Sequence, residues 1–160
     1  MSKMKPGVVY GAKYQELLQS CKDGGYALPA VNVVGSNSIN AVMEAAANNS
    51  SDIIIQLSNG GAQFMAGQGM ADGDTAKVVG GVAAANHVHL LAEYYGVCVV
   101  LHTDHANRKL LPWIDGLIEA GAAYYKENKR PLYSSHMLDL SEEALEDNLS
   151  TCAEYLKKIV

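Results

Sequence analysis

One pattern constrains this chain more than any other. A short apolar, β-branched run, a polar or glycine-rich turn and a stretch with helical spacing follow one another repeatedly. The first run is Ala27-Leu28-Pro29-Ala30-Val31-Asn32-Val33-Val34, with Pro29 near its start, where a missing N–H is tolerated. The second is Asp52-Ile53-Ile54-Ile55-Gln56-Leu57, the third Val97-Cys98-Val99-Val100, and the fourth lies around residues 132–137. A short helix over residues 12–22, stopped by Gly24-Gly25, precedes them. The order is therefore a helix and then strand–helix units, which implies an α/β fold with a parallel sheet and helices outside it. An open doubly wound sheet and a (β/α)8 barrel both satisfy this order, and spacing alone leaves both open.

The helical stretches carry their own signals. Ser36-Asn37-Ser38 offers N-cap candidates for a helix with Ile39, Val42, Met43 and Ala46 on one face. Residues 60–73 read as a long glycine-rich loop without the lysine of a Walker A motif. Residues 75–95 read as helix, with Gly80-Gly81 a break or a point of close packing. Pro112 suits the first turn of the next helix, whose expected stop is Gly121. Ser141 is the expected cap of the last helix, whose apolar stripe is Leu145, Leu149, Cys152, Leu156 and Ile159. That stripe reaches Val160 without a cap or polar tail, so residues 1–160 are expected to form a single domain cut short at the C-terminus.

Composition narrows the partners. The net charge of −5 gives no electrostatic case for nucleic acid or an anionic membrane. No secretory h-region opens the chain, and no apolar run is long enough to span a bilayer. Cys21, Cys98 and Cys152 lie far apart in apolar settings and read as reduced thiols of a cytoplasmic protein.

Chemistry-bearing side chains gather at the strand ends: Asn32, Ser58, Asp104 with His105, and Asp139. The sharpest of these is Leu101-His102-Thr103-Asp104-His105, where a buried strand ends in two imidazoles and a carboxylate. Such groups are costly there unless solvent, a metal or a substrate engages them. His105 could bind a divalent metal, His102 could bind or orient, and Asp104 could act as general acid or base. A purely structural hydrogen-bonded cluster is the competing reading, because one histidine does not make a zinc site. Ser58 with Gly60-Gly61 could receive a phosphate oxygen, or be an ordinary turn. His136 and Asp139 could support a metal ligand, or cap and turn the chain. His87 and His89, two apart, read as surface or packing residues.

Five motifs in order carry a resemblance: Ala27-Leu28-Pro29-Ala30-Val31-Asn32, Gln56-Leu57-Ser58-Asn59-Gly60-Gly61, Leu101-His102-Thr103-Asp104-His105, Lys109-Leu110-Leu111-Pro112-Trp113-Ile114-Asp115-Gly116 and Ser134-Ser135-His136-Met137-Leu138-Asp139-Leu140-Ser141-Glu142-Glu143. Together the chain resembles the class II, metal-dependent fructose-bisphosphate aldolases of fungi and bacteria. The resemblance implies the N-terminal portion, about four βα units, of a (β/α)8 TIM barrel. It implies zinc-dependent, reversible cleavage of fructose 1,6-bisphosphate to dihydroxyacetone phosphate and glyceraldehyde 3-phosphate. By motif match His105 is one of three zinc histidines and Asp104 the catalytic aspartate. Asn32 and Ser58 match substrate-contacting positions, Ser58 at a phosphate, while His102 and Asp139 match supporting positions near the metal. The remaining zinc histidines, the glutamate base and most of the phosphate and monovalent-cation site are expected beyond residue 160. The 160 residues alone are accordingly expected to be inactive, and the complete enzyme a homodimer. A tagatose-bisphosphate aldolase, a catalytically dead binding or assembly module and, more weakly, a metal-dependent phosphoesterase are the alternatives.

Overall fold

The strand that carries Asp104 and His105, β4 (Cys98–Ala106), is the centre of the sheet. Its residues Cys98 to Leu101 are all buried, as an apolar run without alternation requires. The computed structural model describes residues 4–159; Met1 to Lys3 and Val160, which entered the readings of the leader and of the last stripe, lie outside them. On one side β4 pairs with β3 (Ile53–Leu57), which pairs in turn with β2 (Ala30–Asn32). On the other side it pairs at its start with β1 (Gly7–Val8) and at its end with β5 (Ser135–Leu138). Every pairing is parallel.

The order β2-β3-β4-β5 follows the chain, each strand lying beside its predecessor. A barrel adds strands in that way, whereas a doubly wound sheet reverses direction at its switch point. The order of β2 to β5 is the one a barrel uses, while β1 lies beside β4 and not beside β2. β1 was not foreseen, because two residues have no periodicity to read. It is held by Gly7 N–H donating to Val97 O at 2.9 Å and Val9 N–H donating to Val99 O at 2.9 Å.

The helices are α1 (Gly11–Gly24), α2 (Gly35–Asn48), α3 (Asn59–Ala66), α4 (Gly73–Tyr95), α5 (Leu111–Asn128) and α6 (Leu145–Ile159). α1 stops as expected, with Gly25 in the left-handed region at φ 67°. α2 starts at Gly35 without a side-chain cap; Ser38 Oγ instead donates back to Val34 O at 2.8 Å. The expected loop over residues 60–73 holds α3, whose glycines hid it from propensity. Those glycines admit close neighbours: a Cβ on Gly61 would lie 2.8 Å from Val33 O. α3 and α4 also touch backbone to backbone at Gly80, which is therefore a packing point and not a break. α5 runs through Gly121 to Asn128 and ends where Lys129 takes φ 55°.

α6 departs most from expectation. It begins at Leu145, while Ser141 Oγ donates to Asp139 Oδ1 at 2.7 Å instead of capping it. Its apolar stripe faces outward, with Leu145 66%, Leu149 61% and Leu156 61% exposed. The helix is moored by Tyr155, whose buried hydroxyl donates to Asp115 Oδ2 at 2.9 Å, and by a Lys158–Asp115 ion pair at 3.0 Å. Cys21 and Cys98 are buried; Cys98 Sγ donates to Lys5 O at 3.7 Å and Cys152 Sγ to Asn148 Oδ1 at 3.3 Å. Among the described residues no helix is long and apolar enough to cross a membrane.

Candidate active site

Parallel pairing puts register partners side by side on one face of a sheet. Asn32 pairs with Gln56, Gln56 with His102 and His102 with Ser135. One level of the sheet is therefore a polar row crossing four strands, from the ends of β2 and β3 through the middle of β4 to the first residue of β5. His102 Nδ1 is 2.7 Å from Ser135 Oγ, which closes the row on the β5 side. Asp104 stands two residues further along β4 and takes hydrogen bonds from the other side of the row. Asn32 Nδ2 donates to its Oδ2 at 2.7 Å, and Gln56 Nε2 donates to its Oδ1 at 2.7 Å. Both carboxylate oxygens are thus held by amides from neighbouring strands, and the side chain is only 13% exposed.

Successive residues of a regular strand point to opposite faces. His105 would then turn away from Asp104. The β4–β5 register prevents this: Thr103 pairs with His136 and Ala106 with Leu138, so two residues of β4 oppose Met137 alone. This bulge falls on Asp104 and His105, and His105 adopts φ 29°, a left-handed value that costs a non-glycine residue energy. In that conformation His105 Nδ1 donates to Asp139 Oδ2 at 2.8 Å, and Nε2 lies 3.7 Å from Asp104 Oδ1. The bulge is what brings imidazole and carboxylate together.

Asp139 is held at both oxygens. Ser141 Oγ donates to one and His105 to the other, in that order of effect, which lowers its carboxyl to about 2. The His105 imidazole is shifted up, first by that bond and then by the Asp104 charge. A carboxylate that fixes Nδ1 leaves Nε2 free to act as a ligand, the usual outer-shell arrangement of a metal-binding histidine. The donor set is nonetheless incomplete in this chain. Among the described residues no group of three or more His, Cys, Asp or Glu side chains is placed to hold a metal ion. A catalytic zinc site uses three protein ligands. These residues alone do not make one.

The remaining predicted residues take lesser places. Ser58 stands at the end of β3, where its Oγ accepts from Gly61 N–H at 3.1 Å as the cap of α3. No hydrogen bond joins it to the Asp104 cluster among those described. His136 Nδ1 lies 3.1 Å from Thr103 Oγ1, tying β5 to β4. Gln56 is the residue that sequence reasoning passed over. Its signal was present: an amide interrupting Ile53-Ile54-Ile55, one residue before the strand's end, as Asn32 interrupts its own run. His87 and His89 do pack structurally. His89 is buried with Nε2 donating to Leu132 O at 3.0 Å, and His87 Nε2 meets Asn40 Oδ1 at 2.7 Å. A hollow of about 580 Å³ between α4 and α5 is lined by neither Asp104 nor His105.

The comparisons decide what this strand end belongs to. The family model described as "Fructose-bisphosphate aldolase class-II" matches residues 12–159. The chain belongs to the class II fructose-bisphosphate aldolase family. It is 58% identical over 156 residues to the fructose-bisphosphate aldolase of Campylobacter jejuni, covering 98% of this chain and 43% of that protein. It is 50% identical over 158 residues to the class 2 aldolase of Escherichia coli, covering 98% of this chain and 44% of that one. The crystal structure of the Campylobacter jejuni aldolase superposes with a TM-score of 0.93 at 58% identity, over 97% of this chain and 44% of that chain. The chain thus spans less than half the length of the aldolases it matches. Its parallel βα units match part of the class II aldolase barrel.

Acid should test the histidine environment. Burial lowers His136 to about 4, with His102 adding to it, and burial also lowers His89 and His102. Unfolded histidines protonate near 6.5, so between there and about 4 the unfolded chain binds more protons than the folded one. Stability is then present above pH 6.5 and is lost as pH falls, by up to about 3 kcal/mol from His136 alone. The His105–Asp139 pair has the opposite sign on the histidine side, being fully present below pH 6.5 and lost as pH rises through the raised value, but it is exposed and salt-screened. Urea midpoints at high salt should therefore fall from pH 7 to pH 4.5, and fall less in His136→Gln.

Proposed function

We propose that residues 1–160 are the N-terminal portion of one (β/α)8 barrel domain and supply the proton-handling half of a class II aldolase site. The reaction is reversible cleavage of fructose 1,6-bisphosphate. The C3–C4 bond breaks, the C4 hydroxyl loses its proton and becomes the aldehyde of glyceraldehyde 3-phosphate, and C3 keeps the electron pair and is protonated by a group outside these residues to give dihydroxyacetone phosphate. One observation carries this reading. Asp104 is gripped at both oxygens by Asn32 and Gln56, beside a His105 oriented by Asp139.

In this reading Asp104 takes the proton of the C4 hydroxyl on cleavage and returns it on condensation. Fixed in place by two amides, it needs no reorganisation to do so. Asn32 serves twice, positioning Asp104 and contacting substrate, and Ser58 with the N–H groups opening α3 takes a phosphate. His105 is one ligand of zinc, which when bound polarises the ketone as a Lewis acid. His102 and Asp139 support it, and the other ligands come from outside these residues. A monovalent cation, a cytoplasmic location and a homodimer belong to the complete enzyme.

The test joins residues 1–160 to the part of the Campylobacter jejuni aldolase beyond its matched region. Cleavage is followed by coupled oxidation of the triose phosphates. The expected result is zinc-restored, chelator-sensitive cleavage of fructose 1,6-bisphosphate. Tagatose 1,6-bisphosphate as the preferred substrate would move the reading to the neighbouring aldolase, and a folded joined protein that cleaves neither would defeat it. A second reading draws on the incomplete donor set: taken alone, the chain is a non-catalytic binding or assembly module.

A further inference from the structure

The left-handed φ of 29° at His105 is strained, and such strain persists only where the surroundings over-determine it. The surroundings here are the turn after β5. Asp139 N–H donates to Ala106 O at 2.8 Å, His105 Nδ1 donates to Asp139 Oδ2 at 2.8 Å, and Arg108 pairs with Glu143 at 2.8 Å. Residues 105–108 are thus tied to residues 139–143 at three points. The tie that fixes the imidazole depends on which way the Asp139 carboxylate is turned, and the last torsion of an aspartate is broad. Ser141 removes that freedom. Its Oγ donates to Asp139 Oδ1 at 2.7 Å, and its N–H reaches the same oxygen at 3.3 Å. With Oδ1 engaged twice, Oδ2 is left to His105. The hydroxyl does not cap α6, which begins at Leu145.

We propose that Ser141 is a positioning residue: by holding the Asp139 carboxylate it sets the tautomer and orientation of His105. The proton then sits on Nδ1, and the lone pair of Nε2 is presented beside Asp104, whose Oδ1 lies 3.7 Å away. Ser141 acts through Asp139 and touches neither the imidazole nor Asp104. A competing account makes it a fastener of its own turn, because an aspartate side chain that accepts from the residue two further on is a common turn element. That account predicts a loss of stability and no change at the imidazole. The proposal rests on the aldolase reading only for what Nε2 binds. The orientation of His105 is a property of these residues alone, so the two fail separately.

The experiment reads the imidazole directly. The chain holds five histidines, so labelling them with the heavy nitrogen isotope gives few signals, and the one lost in His105→Gln is His105. At about pH 9, well above the ordinary histidine value, nitrogen shifts separate the two neutral tautomers. The Nδ1–H form should dominate in the parent. Ser141→Ala should lower the ratio of Nδ1–H to Nε2–H by about 5–10-fold, the range of one intramolecular hydrogen bond. Ser141→Thr keeps a hydroxyl and should restore the ratio. Ser141 is exposed, so the thermal midpoint of Ser141→Ala should stay within about 2 °C of the parent. In the joined protein, competition with a coloured chelator should show zinc held about 10-fold more weakly in Ser141→Ala and recovered in Ser141→Thr, the low end for loss of a partner outside the ligands. An unchanged tautomer ratio in Ser141→Ala, or zinc held as tightly as in the parent, would overturn the proposal. A midpoint that falls by about 5 °C or more, with Ser141→Thr no better than Ser141→Ala, would make Ser141 a fastener of the turn and overturn it as well. A ratio that shifts as expected, in a chain whose joined form binds no zinc, would support the positioning role and remove only the metal reading.

Discussion

Gly80→Ala is expected to lower the thermal midpoint of the folded chain by about 6–12 °C, corresponding to about 3 kcal/mol. In an exposed helix interior the same change gains up to about 1 kcal/mol, because alanine loses less backbone freedom than glycine. Here the sign reverses. A Cβ at this position in α4 would lie 1.8 Å from Ala62 O and 2.8 Å from Ala62 C, both backbone atoms of α3. No rotamer change relieves a backbone contact, so α3 must slide off α4 as a unit. α3 is opened by Ser58 and follows β3, so its displacement also disturbs the strand that carries Gln56. Gly60→Ala is the matched control. That position, also helical, has nothing within 4 Å, and its midpoint should hold or rise. Equal losses at both glycines would mean that helix propensity, not the α3–α4 approach, governs this region.

Asp104→Ala in the joined, zinc-loaded protein should reduce kcat by about 10²–10⁴-fold, the range for a positioned acid–base group. Asp104→Asn should do nearly as badly for a further reason. Both carboxylate oxygens accept from side-chain amides, Asn32 on one and Gln56 on the other. An asparagine presents an NH₂ to one of them, so a donor faces a donor and the grip is broken. Gln56→Leu leaves the carboxylate and removes one of its two holders. It should lower kcat less than Asp104→Ala while leaving zinc content unchanged. A kcat near that of the parent in Asp104→Ala would take the proton step away from this residue.

Much of this architecture is legible in the residues, for identifiable reasons. Val97 to Leu101 is apolar without alternation and buried throughout, as a strand covered on both faces is, while Ile53-Ile54-Ile55 is buried at Ile53 and Ile55 and half-buried at Ile54. Gly25 and Pro112 mark helix boundaries through their backbone chemistry, whatever the tertiary context. What was not legible depends on partners distant in sequence. β1 exists because Gly7 and Val9 find carbonyls at Val97 and Val99. α3 forms through a glycine-rich segment because Gly61 and Gly80 let backbones approach. The bulge at Asp104 and His105 is a mismatch between two strands, which neither strand shows alone. Asp139, read from sequence as a supporting group or a helix cap, is placed by the structure on His105. The stripe of α6 was read correctly as helical, but periodicity says which residues share a face and not what lies opposite it. Here nothing described does.

In the proposed reading the Asp104–His105 strand end is a necessary part of an aldolase site and an insufficient one. Cleavage of fructose 1,6-bisphosphate by the 160-residue chain alone, with zinc added, tests it most directly. One imidazole oriented by Asp139, with no group of three donors among the described residues, predicts no cleavage above the metal-only background. Clear zinc-dependent turnover by the chain alone, abolished by Asp104→Ala, would contradict it.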